Sequence, residues 1–238
     1  MWNLYDNLYI GIPSGIRIEK CIIGKDWTAV LANNNIGVAR TPELPGDPEG
    51  FAASFSGAYL RDTANHMKWD NPVLAGVGVA AMNAWYNTAE RAEALGGGPG
   101  SIASGQIGGR TAFVGDYAGE NVFPLPIGPV FDATGYESLS KFDKVVIAGE
   151  TLISRALPGL LDIVGENGNV LLEGYSLPCS ALFFSFGLPV KEINGFYVQQ
   201  NDGIKAYTVD DVDRLASGAI PFAVRAAQVE KIREKATL

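Results

Sequence analysis

The run Lys144-Val-Val-Ile-Ala-Gly149-Glu150-Thr151 sets the reading of the whole chain, because a short apolar stretch stops at a glycine and hands over to polar residues. The same pattern occurs at Thr111-Ala-Phe-Val-Gly115-Asp116-Tyr117 and at Val170-Leu-Leu-Glu-Gly174-Tyr175-Ser176. Short, continuous apolar runs of this kind are strands of a parallel sheet covered on both faces. The polar residues past each glycine then lie at the C-terminal strand ends, where open α/β sheets hold their ligands.

Working outward, the flanking residues alternate between strand and helix patterns. Pro129 to Asp132 reads as a further strand, Leu152 to Val164 as a helix, Cys179 to Phe186 as a short helix and Phe196 to Gln200 as another extended run. Two closing helices are expected near Val209 to Ser217 and Pro221 to Glu234, the first with a capping signal from Thr208 and Asp211. Strand and helix in alternation give a doubly wound parallel sheet over residues 111–238.

The N-terminal part has a different grammar. Trp2 to Ile12 is a helix pattern ended by Gly11 and Pro13. Ile16 to Ile23, Trp27 to Leu31 and Ile36 to Arg40 form an antiparallel meander, with turns at Gly24-Lys25-Asp26 and Asn33-Asn34-Asn35. After the Pro/Gly-rich stretch Thr41 to Pro48 come two helices, Gly57 to Lys68 and Pro72 to Tyr86. Asn71 caps the second, Pro72 takes its first position, and its body is apolar almost all round, as in a helix buried on every side. Residues 1–95 are therefore read as an α+β domain. The seven glycines between Leu95 and Arg110 make residues 96–110 a boundary, either a plain linker or a lid over a crevice.

Composition limits the function. The chain has 238 residues, 47% of them hydrophobic and 18% charged, with a net charge of -8. That balance fits a globular protein and disfavours nucleic acid or an anionic membrane surface as partner. The N-terminus lacks the pattern of a signal peptide, and the longest apolar helix is too short to span a bilayer, so a cytoplasmic location is expected. Cys21 and Cys179 form no disulfide framework, and one histidine, His66, read as a solvated helix-end residue, leaves little for a triad or a Cys/His zinc site. Cys179, after Pro178, is read as a buried, inert thiol in preference to a nucleophile.

The candidate ligand-binding residues are Asn83, Asp116, Glu150, Thr151, Gly174 and Ser176. Asn83 is a carboxamide inside an apolar helix, which is costly unless it has a partner. The other five follow the glycine stops. Asp116 and Glu150 are the candidate metal ligands, a divalent metal being the candidate cofactor. Gly115, Gly119 and Asp132 form a partial dinucleotide pattern, with the acidic residue 17 positions after Gly115, but the three-glycine fingerprint is absent and Asp116 would repel a phosphate.

Leu4-Tyr5-Asp6, Gly11-Ile12-Pro13, Trp27-Thr28, Gly37-Val38-Ala39 and above all Gly76-Val-Gly-Val-Ala-Ala-Met-Asn-Ala-Trp-Tyr-Asn87 resemble an uncharacterised prokaryotic family labelled "putative heavy-metal chelation". Val114-Gly115, Thr151-Leu-Ile, Leu157-Pro158 and Gly174-Tyr-Ser-Leu-Pro178 extend the resemblance to the second half. It implies an N-terminal domain similar to that of enolase, a Rossmann-like domain and a site in the cleft between them. The family pattern places a histidine where this chain has Asp116, an exchange that favours harder cations. The expectation is an interdomain crevice that binds a small polar molecule, a metal or a metal chelate. A nucleotide- or S-adenosylmethionine-dependent enzyme and a non-catalytic binding protein are the alternatives, and a homo-oligomer is expected from the apolar helices.

Overall fold

The computed structural model describes residues 3–97, 109–199 and 208–236. Helix α1 (Asn3–Ile10) leads into a three-stranded antiparallel sheet, β1 (Ile18–Ile23), β2 (Trp27–Ala32) and β3 (Asn35–Arg40), in that spatial order. Asn33 and Asn34, at φ 49° and 59°, supply the two left-handed residues of a tight hairpin, a conformation asparagine tolerates well. Short helices α2 (Pro48–Ala53) and α3 (Leu60–Ala64) precede α4 (Pro72–Tyr86). Asn71 Oδ1 accepts from Leu74 N at 3.0 Å, and twelve of the fifteen residues of α4 are buried.

The reason is contact on both sides. One face of α4 lies so close to β3 that a Cβ on Gly37 would fall 2.0 Å from Ala84 N, and the opposing side packs on α3 and the 3-10 turn after it. The other face of the meander is also covered: Ile22, Leu31, Ile36 and Val38 pack with Val212 and Leu215 of α7 (Val212–Ser217). Cover on both faces explains why β2 and β3 read as continuous apolar runs.

After α5 (Ala89–Ala94) the chain forms a six-stranded sheet in the order β5-β4-β6-β7-β8-β9. Its strands are β4 (Thr111–Val114), β5 (Val122–Phe123), β6 (Lys144–Ala148), β7 (Val170–Glu173), β8 (Val190–Tyr197) and β9 (Ile220–Arg225). All neighbours are parallel except β8 and β9. Helix α6 (Leu157–Val164) follows β6, and α8 (Ala226–Ala236) closes the described chain. The chain steps from β4 outward to β5 and then returns to β6 on the other side. This reversal opens a crevice between the C-terminal ends of β4 and β6.

The two sheets share one core. It runs from Tyr5 and Leu8 through α4 to Ile147, Leu172 and Ile193. Tyr5 donates to Leu152 O at 3.2 Å, and Ile36 bridges to Val198.

Several expectations are corrected. Pro129 to Asp132 is not a strand. The edge is formed instead by Val122–Phe123, and Asp132 turns its carboxylate back onto Thr134 N at 2.9 Å. The helix after β6 starts at Leu157, because Gly149–Thr151 forms a 3-10 turn and Arg155 sits at φ 63°, which no helix continues. The helix expected around Cys179 shortens to a 3-10 turn, Ala181–Phe184, and the run at Phe196 is the tail of the longer β8. The expected helix Pro221 to Glu234 divides into β9 and α8, since Pro221-Phe-Ala-Val alternates and pairs along an edge where proline is tolerated. Thr208 and Asp211 do form a capping box. Most of the glycine-rich segment, residues 98–108, lies outside the described residues, and with it the question of a lid.

Candidate functional site

A cavity of about 830 Å³ lies at the crevice between β4 and β6. The six-stranded sheet contributes Asp116 and Tyr117 after β4, Ala148 and Glu150 at the end of β6, and Glu173 and Gly174 at the end of β7. The N-terminal layer contributes Trp27 and Arg40 from the ends of β2 and β3, and Trp69 and Asp70 ahead of α4. Leu125, Pro126 and Ile127 form an apolar rim, with Arg155 among the remaining lining residues.

The carboxylates dominate the polar wall. Burial pushes the Glu150 carboxyl above its ordinary range; Arg40 opposes the shift, while Asp116 and Glu173 add to it. Tyr117 is kept protonated chiefly by burial, with Glu173 and then Glu150 beside it. A Cβ on Gly174 would lie 3.7 Å from Glu150 Oε2, so the backbone after β7 runs close against that carboxylate.

The two lining arginines are partly engaged. Arg155 pairs with Asp70, and its buried Nε has no partner among the described residues. The Arg40 guanidinium sits 5.1 Å from the Trp27 ring centroid. Trp27 and Tyr175 have centroids 4.5 Å apart, and Tyr175 stacks on Phe196 at 3.9 Å.

Of the six residues singled out for ligand binding, Asp116, Glu150 and Gly174 line the cavity, whereas Asn83, Thr151 and Ser176 do not. The last three are turned to backbone partners. Asn83 Nδ2 donates to Val38 O at 2.8 Å and to Tyr175 O at 2.9 Å, tying α4 to β3 and to the turn after β7. Thr151 Oγ1 donates to Ala148 O at 2.6 Å, and Ser176 Oγ accepts from Arg40 N at 3.1 Å. Gly115, Gly119 and Asp132 also lie outside the lining. Gly115, at φ 143°, has the Ala148 and Tyr117 side chains where a Cβ would project, and Asp132 is exposed.

Sequence reasoning missed Glu173, Tyr117, Arg40 and Asn87. Glu173 carried a signal, since it directly precedes the glycine stop of β7. Asn87 carried less: it caps the end of α4, and its Nδ2 donates to Leu177 O at 2.8 Å and to Phe196 O at 2.9 Å while its Oδ1 accepts from Cys179 N at 2.7 Å.

Two family models, both described as "Putative heavy-metal chelation", match residues 5–86 and 123–208, which together make up more than half of the chain. The chain thus matches two families that share the description "Putative heavy-metal chelation", one in each half. A protein of unknown function from the DUF364 family of Desulfitobacterium hafniense DCB-2 has a similar structure, with a TM-score of 0.76 and 24% identity over 94% of this chain and 97% of that one. A second DUF364 protein of unknown function, from Pyrococcus horikoshii, matches with a TM-score of 0.63 and 15% identity over 93% of this chain and 98% of that one. Both likenesses show the fold. No curated protein matches the chain.

The family description invites a test of the donor atoms. Among the described residues, no group of three or more His, Cys, Asp or Glu side chains is arranged to hold a metal ion. Cys21 and Cys179 are buried, and burial pushes both thiols up to about 12, so neither supplies a thiolate at neutral pH. His66 is not the solvated residue expected. It packs between Phe55 and Trp69, and burial lowers its pKa. The cavity offers only carboxylate, carbonyl and hydroxyl oxygens, a set that does not fit a soft heavy metal. Among the described residues no helix is long and apolar enough to cross a membrane.

Proposed function

We propose that this protein binds a small polar ligand, held in the cavity at the β4/β6 crevice. The observation that carries the reading is the position and size of that cavity: about 830 Å³, within the range of ligand sites and at the reversal of strand order. Asp116 and Glu150 contact the ligand, and Gly174 allows it to approach the backbone. Asn83, Thr151 and Ser176 act through the backbone they hold, not by touching the ligand. The reading treats residues 1–95 and 111–238 as two domains joined by the 96–110 segment, with the ligand between them. A metal enters such a site as a chelate that brings its own soft donors. Assembly as a homo-oligomer is part of the reading, and the exposed Ile127 and Phe131 favour it.

Native mass spectrometry with elemental analysis, on protein purified without chelators, tests this directly. The expected result is a small-molecule adduct on the wild type that is absent from Ser154→Trp, whose indole would fill the cavity. Equal masses without adduct in both, or an adduct kept by the variant, would overturn the reading.

A further inference from the structure

The polar wall of the cavity is unevenly charged. Asp116, Glu150 and Glu173 stand at the ends of three adjacent strands, while of the two lining arginines Arg155 pairs with Asp70 through a terminal nitrogen, its Nε having no partner among the described residues, and Arg40 lies against Trp27. A phosphate or carboxylate ligand would meet this wall with like charge. A bare metal ion would need the carboxylates to converge on one point, which they do not do. They face a space large enough for a molecule, with the apolar surface of Trp69, Leu125 and Ile127 at its rim.

A second feature lies behind this wall. Asn194 of β8 pairs in register with Glu173, is fully buried, and has no partner on either its oxygen or its nitrogen among the described residues. By strand alternation its carboxamide leaves the sheet on the same face as Glu173 and Phe196, both of which line the cavity. Buried carboxamides are normally satisfied; Asn194 is not itself among the residues lining the cavity, and its open bonds lie one strand behind Glu173. Tyr175 stacks on Phe196 and packs at a tilt against Trp27, and all three rings line the cavity. Recognition of charge therefore falls to the carboxylates, and the rings take the apolar body.

We infer that the ligand is an organic cation, a protonated amine or amidine on an apolar body, with its charge facing the wall of Asp116, Glu150 and Glu173 and the body against the Trp69–Ile127 rim. This names the ligand class for the cavity proposed above and rests on that reading. A cation facing the exposed Asp116 and the half-buried Glu150 and Glu173 offsets their mutual repulsion and forms charge-assisted hydrogen bonds.

Calorimetric titration with three probes of matched size tests the charge: phenethylamine, 2-phenylethanol and phenylacetate, each with EDTA present. Phenethylamine is expected to bind at least tenfold tighter than 2-phenylethanol, and phenylacetate weakest of the three. Glu173→Gln and Asp116→Asn should each weaken phenethylamine about tenfold, the effect of losing one charged hydrogen bond, and leave 2-phenylethanol unchanged. Equal binding of the amine and the alcohol, with both lost in Ser154→Trp, would overturn the cation assignment while the cavity reading stands. Preference for phenylacetate, amine binding that needs added Mn²⁺, or no binding of any probe would also overturn the assignment, and the native mass measurement then judges the cavity independently.

Discussion

The core around α4 and the wall of the cavity both bury polar groups, but they treat them in opposite ways. In the core, Asn87 satisfies three backbone groups and the Asn83 amide nitrogen two, so each carboxamide serves as a clamp between the two sheets. At the wall, the half-buried Glu150 stands beside two further carboxylates, and Asn194, one strand behind Glu173, has no partner among the described residues. The clamp carboxamides carry most of their bonds, Asn83 Oδ1 being their one atom without a partner among the described residues, whereas the wall turns its carboxylates to open space, and that difference separates scaffold from site here.

The comparison can be broken most forcefully at the clamps. Asn87→Ala leaves two carbonyls and the Cys179 N–H unpaired and is expected to cost about 4 kcal/mol, a fall in Tm of roughly 8–16 °C in thermal denaturation. A change of under about 2 °C would show that the clamp is ornamental. Next comes Gly37→Ala, whose new methyl would meet the backbone of α4 at Ala84 N, 2.0 Å away. The expected cost is about 3 kcal/mol, read as a lower urea midpoint with an unchanged slope.

At the wall the sign reverses. Because the Glu150 carboxyl is raised above its unfolded value, ionising it in the fold costs stability. That penalty is absent well below the ordinary Glu range, grows as pH rises toward the folded pKa and is complete above it. Glu150→Gln should therefore be more stable than wild type at neutral pH, with the gap in Tm closing as pH falls toward 4. A destabilised variant at neutral pH would place Glu150 among the structural groups. The smallest effect is expected at Asp132→Ala, outside the cavity and exposed: Tm within about 2 °C and phenethylamine affinity unchanged.

Much of the scaffold was legible because it rests on local rules. Glycine stops marked the ends of β4, β6 and β7, Asn71-Pro72 marked the start of α4, and the unbroken apolar body of α4 announced burial on all sides. The errors fell where tertiary pairing decides. Residues 220–225 carry a pattern that suits either an amphipathic helix or an edge strand, and only the free edge of β8 selects the strand. Arg155 at φ 63° ends a turn that its residue type gives no reason to expect.

The site was half legible for the same cause. Asp116 and Glu150 follow strands and could be placed by position alone. Arg40, Trp27 and Asp70 reach the cavity from elements more than seventy residues away from Glu150 in the chain, and nothing in local spacing brings them there. Asn83 was correctly marked as needing partners, but a sequence cannot say whether those are ligand atoms or the carbonyls of Val38 and Tyr175.

The account turns on whether the cavity wall is left electrostatically open. A carbon-13 NMR titration of the Glu150 carboxyl, in free protein and with phenethylamine, measures this at the group itself. The predicted result is a midpoint above the ordinary glutamate range in the free protein that moves down when the amine is bound. A midpoint within or below that range, unmoved by the amine, would contradict it.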